Sequence, residues 1–234
     1  MDIAHSTALV TGANRGIGRI VVEQLLERGA RRIYATARRP ESLPFDDPRV
    51  VPLRLDVTDA AHATSAAEHA HDVDLLVNNA GIASAQNLLT GDLERIRAEM
   101  ETNFFGALHV SRAFAPVLAA HGGGAIINIM SLLSFRTFPG NGSYAASKAA
   151  EWQLTNSTRL ELAAQGTQVL GVHLASTDTD MMAGWDIPKN DPRQVVAMTL
   201  DALEAGRSEV LDTDSAAIKA RLASPPEELY AELG

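Results

Sequence analysis

The segment that decides the fold is Thr7-Ala8-Leu9-Val10-Thr11-Gly12-Ala13-Asn14-Arg15-Gly16-Ile17-Gly18, in which an apolar run of strand length enters a glycine-rich turn and then a helical pattern. The three glycines meet three needs: a tight turn, close backbone approach to a pyrophosphate, and close packing of helix on strand. The N–H groups of the helix N-terminus favour an anion there. The position after the first strand favours a dinucleotide site over a plain turn. Its predicted members are Gly12, Asn14, Arg15, Gly16, Ile17 and Gly18.

Outward from this segment, apolar runs of strand length alternate with longer stretches of helical period. Further strands are predicted at Ile33–Thr36, Val50–Leu55, Val73–Val77, Ala125–Ile129, Gln168–Leu174 and Glu209–Leu211. Helices are predicted at Ile17–Leu26, Ala60–His69, Tyr144–Ala164 and Val195–Leu203, with two more across Leu88–Ala120. Strands that are apolar on both faces belong inside a parallel sheet. We therefore expect one α/β domain over residues 1–234, a Rossmann-type doubly wound, seven-stranded, mostly parallel sheet with helices on both faces.

Composition excludes several classes of protein. The 234 residues are 46% hydrophobic and 21% charged, which is typical of a globular chain, and the net charge of −9 argues against nucleic acid or anionic lipid as partners. The absence of cysteine excludes disulfides and zinc–thiolate clusters and fits the cytoplasm. Met1-Asp2 opens without a signal-like segment, and no apolar stretch is long enough to span a membrane. We expect a cytoplasmic protein with no membrane contact and no metal.

The end of the second strand indicates which dinucleotide is bound. An acid there would hydrogen-bond a ribose 2′-hydroxyl, whereas a base would receive a 2′-phosphate. Here the strand ends in Ala37-Arg38-Arg39, and Arg15 in the glycine turn adds a second charge to the same spot. These residues favour NADP(H) as the cofactor. The alternative is that Arg38 and Arg39 are solvated loop charges.

A second constellation is Tyr144 and Lys148, four residues apart and therefore on one face of a helix. An ammonium next to a phenol favours the phenolate, so it would lower the tyrosine pKa and make a usable proton donor and acceptor. By itself the pattern carries little information, because on an arbitrary helix a tyrosine and a lysine four residues apart would be exposed surface side chains with no catalytic role.

The motifs together resemble those of the short-chain dehydrogenase/reductase family over nearly the whole chain. Thr11 to Gly18 is similar to its Thr-Gly-x-x-x-Gly-x-Gly turn, and Asn78-Asn79-Ala80-Gly81 to its Asn-Asn-Ala-Gly. Ser131 lies 13 residues before Tyr144, the family's usual interval, and Asn103 falls at the family's helix asparagine.

The resemblance implies a catalytic tetrad of Asn103, Ser131, Tyr144 and Lys148. Tyr144 would exchange a proton with the substrate oxygen, Ser131 would hydrogen-bond that oxygen, and Lys148 would bind the nicotinamide ribose. Asn103 would hold a water that links the lysine to solvent. Taken singly, each residue would favour another interpretation, Ser131 as a strand-end cap and Asn103 as a polar helix residue. Cofactor contacts are also implied for Asp56, Val57, Asn79, Ala80, Gly81, Tyr144, Lys148 and Thr179.

One stretch departs from the family pattern. Where the family has Pro-Gly at the end of its sixth strand, this chain has Leu174-Ala175, so the following loop is expected to take a different path. Thr179 is retained. Asp178 and Asp180 are interpreted as a helix cap rather than a metal pair.

The segment 176–192 is expected to form a substrate lid. Its Met181, Met182, Trp185 and Ile187 suit an apolar or aromatic carbonyl compound, although core packing or a subunit contact explains them equally well. The opposite wall is predicted to comprise Leu132, Leu133, Phe135 and Phe138.

The sequence thus predicts an NADP(H)-dependent oxidoreductase that interconverts a ketone or aldehyde and its alcohol. A catalytically silent NADP(H)-sensing regulator is the alternative, and a redox-neutral or double-bond reaction at the same site is a third hypothesis. The helices around Asn103 and Tyr144 resemble those through which family members pair, so a homodimer or homotetramer is expected. The polar tail with Glu227, Glu228 and Glu232 is not expected to make the tight terminal contacts of some relatives.

Overall fold

The computed structural model describes residues 1–231, and at its centre seven strands form one sheet. The strands are β1 Thr7–Val10, β2 Arg32–Ala37, β3 Val50–Arg54, β4 Leu75–Asn78, β5 Ala125–Ser131, β6 Gln168–Leu174 and β7 Glu209–Leu211. Their order is β3-β2-β1-β4-β5-β6-β7, and all six strand pairs are parallel. The prediction of a seven-stranded Rossmann-type sheet is confirmed, and the sheet is entirely rather than mostly parallel.

Helices cover both faces of the sheet. They are α1 Gly16–Glu27, α2 Ala60–His69, α3 Leu93–Met100, α4 Gly106–Ala120, α5 Gly142–Glu161, α6 Pro192–Glu204, α7 Thr213–Ala220 and α8 Pro226–Leu229. Successive strand residues point to opposite faces, so β1 contributes Ala8 and Val10 to one core and Leu9 to the other. The first core lies under α1 and α6, and the second lies under α2 and α4. None of the helices in residues 1–231 is long and apolar enough to cross a membrane.

Several boundaries differ from the predicted ones. The helical region predicted from Leu88 begins only at Leu93, because the Asp92 side chain accepts from two backbone N–H groups and caps α3 there. A π-helical segment, Glu101–Phe105, joins α3 to α4 without a break. The long helix ends at Glu161 and not at Ala164. Helices α7 and α8 were not predicted; Glu227 and Glu228 lie in α8, and Glu232 lies outside the described residues.

The strand order positions the site. The chain runs outward from β1 to β3 and then returns to the other side of β1 with β4, so the order reverses between β1 and β4. In parallel sheets of this kind the crevice at the carboxyl ends of the strands, next to the reversal, is where ligands bind.

Candidate active site

A cleft of about 1330 Å³ opens at the carboxyl edge of the sheet. Sixteen of the residues predicted for the site line it: Gly12, Asn14, Arg15, Gly16, Ile17, Arg38, Arg39, Asp56, Val57, Asn79, Ala80, Gly81, Ser131, Tyr144, Lys148 and Thr179. Two more residues of the predicted catalytic and cofactor-binding set, Gly18 and Asn103, are buried behind its wall. The fold therefore brings residues separated by more than a hundred positions to one surface.

The glycine-rich turn needs its glycines for backbone reasons. Gly12 and Gly16 have φ values of +64° and +55°, in the left-handed region that side chains with a Cβ rarely adopt. A Cβ on Gly18 would lie 2.3 Å from the carbonyl oxygen of Gly12, which is too close for any side chain. The role of Gly18 is therefore to allow α1 to pack closely against the turn, and Gly18 itself does not line the cleft.

The β1 and β4 ends are held together by side-chain hydrogen bonds that were not predicted. The hydroxyl of Thr11 accepts hydrogen bonds from the backbone N–H groups of Asn79 and Ala80 at 2.9 and 3.0 Å. The amide of Asn79 donates to the carbonyl oxygens of Thr11 and Gly12 at 2.9 and 3.2 Å. These bonds fix the two turns that form the floor of the cleft.

The N-terminus of α1 is open to a ligand. The residues that cap helices α2, α3, α6 and α7 are Asp59, Asp92, Asp191 and Asp212, and each accepts from the backbone N–H groups of its helix. The residue at the N-cap of α1 is Arg15, whose side chain makes no such bond. The first N–H groups of α1 are therefore available to an anion placed in the cleft.

Positive charge gathers at the same end of the cleft. Among residues 1–231, Arg38 and Arg39 have no carboxylate within 4.0 Å, whereas Arg15 forms an exposed ion pair with Asp180 at 3.5 Å. Although burial acts to raise the pKa of Asp56, hydrogen bonds from Thr58 and the nearby Arg38 charge lower it, so Asp56 is ionised beside the arginines. Ser42 also lines this end and was not predicted.

Tyr144, Ser131 and Lys148 meet on the far wall of the cleft. The Lys148 Nζ lies 5.8 Å from the centroid of the Tyr144 ring, and the Ser131 hydroxyl accepts from Leu133 N at 3.1 Å. The expected lowering of the tyrosine pKa is wrong for this structure: burial raises the pKa of Tyr144, and the opposing effects of Lys148 and Ser131 do not overcome it. The phenol is therefore protonated at neutral pH.

A carboxylate that was not predicted pairs with the lysine. Glu151 Oε2 lies 2.6 Å from Lys148 Nζ, and both side chains are buried. The signal was present in the sequence, since a lysine and a glutamate three apart on a helix share a face. It was missed because most such pairs are exposed surface pairs.

Asn103 lies where a helix asparagine was expected, between α3 and α4. It lies in the π-helical segment, 1% exposed, and its amide makes three hydrogen bonds within the protein. The amide nitrogen donates to Ile82 O at 3.0 Å and Ser147 Oγ at 2.9 Å, and the amide oxygen accepts from Ile82 N at 2.9 Å. Its side chain therefore anchors the loop after β4 to α5, and its amide oxygen keeps one acceptor site beyond the bond from Ile82.

The remaining end of the cleft is largely apolar. Seven of the predicted residues line it: Leu132, Leu133, Phe138, Met181, Met182, Trp185 and Ile187. Phe135 does not, because it stacks on the buried His173 ring with centroids 4.2 Å apart and packs against Trp152. The placement of Phe135 on the wall was wrong. Arg136 and Asp214 line the cleft and were not predicted.

The loop after β6 is held by Asp212. The backbone N–H of Ala175 donates to Asp212 Oδ2 at 2.5 Å, and the Asn190 amide donates to the same oxygen at 2.7 Å. Asp178 and Asp180 do not cap a helix as predicted, because they pair with Lys189 and Arg15 instead. Among the described residues, no group of three or more histidine or acidic side chains could hold a metal ion.

Comparison with known proteins agrees with this geometry. Residues 6–190 match the family model described as short chain dehydrogenase. D-erythrulose reductase of Gallus gallus is 36% identical over 195 residues, which are 82% of this chain and 78% of that protein. Carbonyl reductase [NADPH] 2 of Sus scrofa is 34% identical over 176 residues, 74% of this chain and 72% of that protein.

A solved structure is similar over the full length. It is a short chain dehydrogenase from Burkholderia cenocepacia J2315 in complex with NADP, with a TM-score of 0.95 and 42% identity, covering 100% of this chain and 99% of that one. Fold, site motifs and relatives point the same way, and the chain belongs to the short-chain dehydrogenase family of oxidoreductases.

Proposed function

We propose that the protein is an NADP(H)-dependent oxidoreductase that interconverts a ketone or aldehyde and the corresponding alcohol, with Tyr144 as the general acid and base. The observation that carries this proposal is one continuous cleft with a basic end at Arg38 and Arg39 and a phenol, a hydroxyl and an ammonium at its other wall. A dinucleotide can extend from one end to the other, so that both ends act on one ligand.

The residues present fit such a cofactor. The uncapped N-terminus of α1 offers N–H groups to a pyrophosphate, and Gly12 and Gly16 let the backbone approach it. Arg38 and Arg39 have no carboxylate partner in residues 1–231, and guanidinium binds phosphate in a bidentate manner. A related structure is described as a complex with NADP, and a relative is named an NADPH carbonyl reductase.

The bound nicotinamide would donate or accept the hydride. Tyr144 would donate its proton to the carbonyl oxygen in reduction, for which its raised pKa keeps it protonated at neutral pH. In oxidation the phenol must first lose that proton, so oxidation is expected to accelerate as pH rises above 7. The Ser131 hydroxyl would hydrogen-bond the substrate oxygen, and Lys148 would bind the nicotinamide ribose.

We propose an apolar or aromatic carbonyl compound as the substrate. Methionine and tryptophan adapt to irregular apolar ligands, and Met181, Met182 and Trp185 line the cleft together with Leu132 and Leu133. The segment 176–192 would act as the lid. Sugar hydroxyl groups would gain no hydrogen-bond partner from these leucine and methionine side chains, so aromatic ketones are expected to be the better substrates.

The test is NADPH oxidation followed at 340 nm over a panel of aliphatic, aromatic and sugar carbonyl compounds. Tyr144→Phe is expected to lower kcat by at least about a thousandfold while NADPH still binds, because only the proton donor is removed. Tyr34→Phe is the matched control, since its hydroxyl bonds Asp72 away from the cleft. Equal rates for Tyr144→Phe and the wild type would contradict the assigned role.

The assay also separates the other hypotheses. NADPH binding without turnover of any compound would favour a regulatory sensor, which has no need of Ser131, Tyr144 and Lys148. Turnover without a change in NADPH would favour a redox-neutral reaction, which product analysis would identify.

We further propose that the chain acts as a single domain, in the cytoplasm, as a homodimer or homotetramer. The absence of cysteine supports the compartment. Apolar side chains left exposed near the pairing helices, Phe105 and Leu160, support the assembly. Light scattering measures the oligomeric state directly.

A further inference from the structure

Glu151 is a buried carboxylate for which the reaction described above has no role. It lies one turn beyond Lys148 on α5, with the Glu151 side chain 3% exposed and the Lys148 side chain 5% exposed. The Oε2 to Nζ distance of 2.6 Å is that of a charge-assisted hydrogen bond.

The ammonium stands between this carboxylate and the cleft. Lys148 lines the cleft, whereas Glu151 does not. Nζ also donates to Ile129 O at 3.1 Å, and a Cβ on Gly81, in the turn that forms the cleft floor, would lie 3.7 Å from Nζ. With two N–H groups committed to Glu151 and Ile129, one remains for a ligand. The carboxylate thus acts on the cleft only through the lysine.

The buried Glu151 carboxylate favours the charged form of Lys148. Burial lowers the pKa of Lys148, and the Glu151 carboxylate together with Tyr144 more than offsets that effect, so the pKa of Lys148 lies above its ordinary value. Burial also raises the pKa of Glu151, against the effect of Lys148. Without a counter-ion, a buried lysine can lose several units of pKa and become neutral near physiological pH.

Other titratable groups surround this pair. Tyr144 on α5 and His173 on β6 interact with it, and Glu99 on α3 interacts with Tyr144. Burial lowers the pKa of His173 to about 4, so it is neutral above pH 7. Glu99 accepts a hydrogen bond from Ser84 N and makes none with Lys148. Glu151 is therefore the carboxylate bonded to the ammonium in residues 1–231.

Resting on the function proposed above, we propose that Glu151 is a positioning residue: it keeps the Lys148 ammonium charged and fixed at the place where the nicotinamide ribose hydroxyls would bind. Glu151 itself would touch neither substrate nor cofactor. Its removal would let Lys148 lose its charge within the working pH range.

The test is the dissociation constant of NADPH, measured by its fluorescence from pH 7 to pH 10. For E151Q, which keeps the shape and removes the charge, the dissociation constant is expected to rise about tenfold between pH 7 and pH 9 as Lys148 becomes neutral. The wild type and E151D, which retains a carboxylate, are expected to change by less than about twofold over that interval.

The matched control is E161Q, the same substitution at an exposed glutamate of the same helix, which is expected to follow the wild type. Thermal unfolding at each pH verifies that the variants are folded, and E151A replaces E151Q if the latter does not fold. The proposal is overturned if the NADPH dissociation constant of E151Q or E151A depends on pH in the same way as that of the wild type. It is also overturned if the dissociation constant of E151D rises with pH as much as that of E151Q.

This outcome is separable from the test of function. A wild type that binds NADPH but reduces no carbonyl compound contradicts the proposed reaction and still allows the effect of Glu151 on binding to be measured. A wild type that reduces carbonyl compounds, with E151Q unchanged in its binding curve, contradicts the role of Glu151 alone.

Discussion

Three arginine residues that line the cleft, Arg15, Arg38 and Arg39, differ in whether a carboxylate lies close to the guanidinium. Arg15 faces Asp180 at 3.5 Å, an exposed pair worth little in solution. Arg38 and Arg39, at the end of β2, line the cleft with no carboxylate within 4.0 Å in residues 1–231. A guanidinium without a partner has its full capacity for a phosphate, so discrimination between the two nicotinamide cofactors is expected to depend on Arg38 and Arg39.

Arg38→Ala is expected to weaken NADPH binding by about ten- to a hundredfold, the loss of one charge-assisted phosphate contact, while NADH binding changes by less than about twofold. Titration of each cofactor by fluorescence measures both constants. Arg207→Ala is the control, because Arg207 is exposed and does not line the cleft. An unchanged ratio of the two constants would show that the selectivity lies elsewhere.

Individual residues show how far the sequence alone reaches. The turn, Ser131, Tyr144 and Lys148 could be placed in one cleft because together they resemble the motifs of one family, in the same order along the chain. The engagement of the Asn103 amide with Ile82 and Ser147 could not, because it depends on a loop path that no periodicity encodes. The direction of the Tyr144 pKa shift was mispredicted for a similar reason: a charge is visible in sequence, but the depth of burial is not.

Among the elements, α1 depends most closely on its contact with the preceding turn. A Cβ on Gly18 would meet the Gly12 carbonyl oxygen at 2.3 Å and the Asn79 amide at 2.4 Å, and neither group can move, because Asn79 donates to Thr11 and Gly12. Gly18→Ala is therefore expected to push α1 off β1, lower the melting temperature by several degrees and weaken NADPH binding more than tenfold.

Gly206→Ala separates lost stability from lost binding. Gly206 has a φ of +69°, and a Cβ added there would have no neighbouring atom within 4 Å, so alanine is strained at this position but meets no obstacle. We expect a melting temperature lowered by strain of about 1 kcal/mol, with NADPH binding as in the wild type. Scanning calorimetry measures the melting temperatures and fluorescence titration measures NADPH binding. The interpretation of Gly18 fails if Gly18→Ala and Gly206→Ala both lower the melting temperature while both bind NADPH as tightly as the wild type.

Element types were easier to predict than element ends. The alternation of strands and helices follows from hydrophobic period, and it gave the seven strands and their parallel direction. The ends depend on capping and tertiary contacts. Asp92 caps α3, so that the helix begins at Leu93, and Asp212 caps α7 and also accepts a hydrogen bond from Ala175 N. A polar side chain that caps one helix and ties down a distant loop leaves no local signal of the second contact.

For the whole molecule, the buried histidine of β6 links folding to pH. His173 is 0% exposed, stacked on Phe135, and its Nε2 has no hydrogen-bond partner among the described residues. Burial lowers its pKa from 6.5 to about 4, against the weaker attraction of Glu209 at 3.7 Å. Protons therefore bind the unfolded chain at higher pH than they bind the folded one.

The effect of His173 on the free energy of unfolding follows from the difference between its pKa values in the folded and unfolded chain. The contribution of neutral His173 is complete above pH 6.5, falls as the pH drops toward 4, and amounts to about 3 kcal/mol over that interval. In urea unfolding from pH 7 to pH 4, His173→Gln is expected to lose about 3 kcal/mol less stability than the wild type, because glutamine does not titrate. His71→Gln, at an exposed position, should follow the wild-type curve. Parallel curves for wild type and His173→Gln would mean that acid destabilises the fold through its carboxylates and not through this ring.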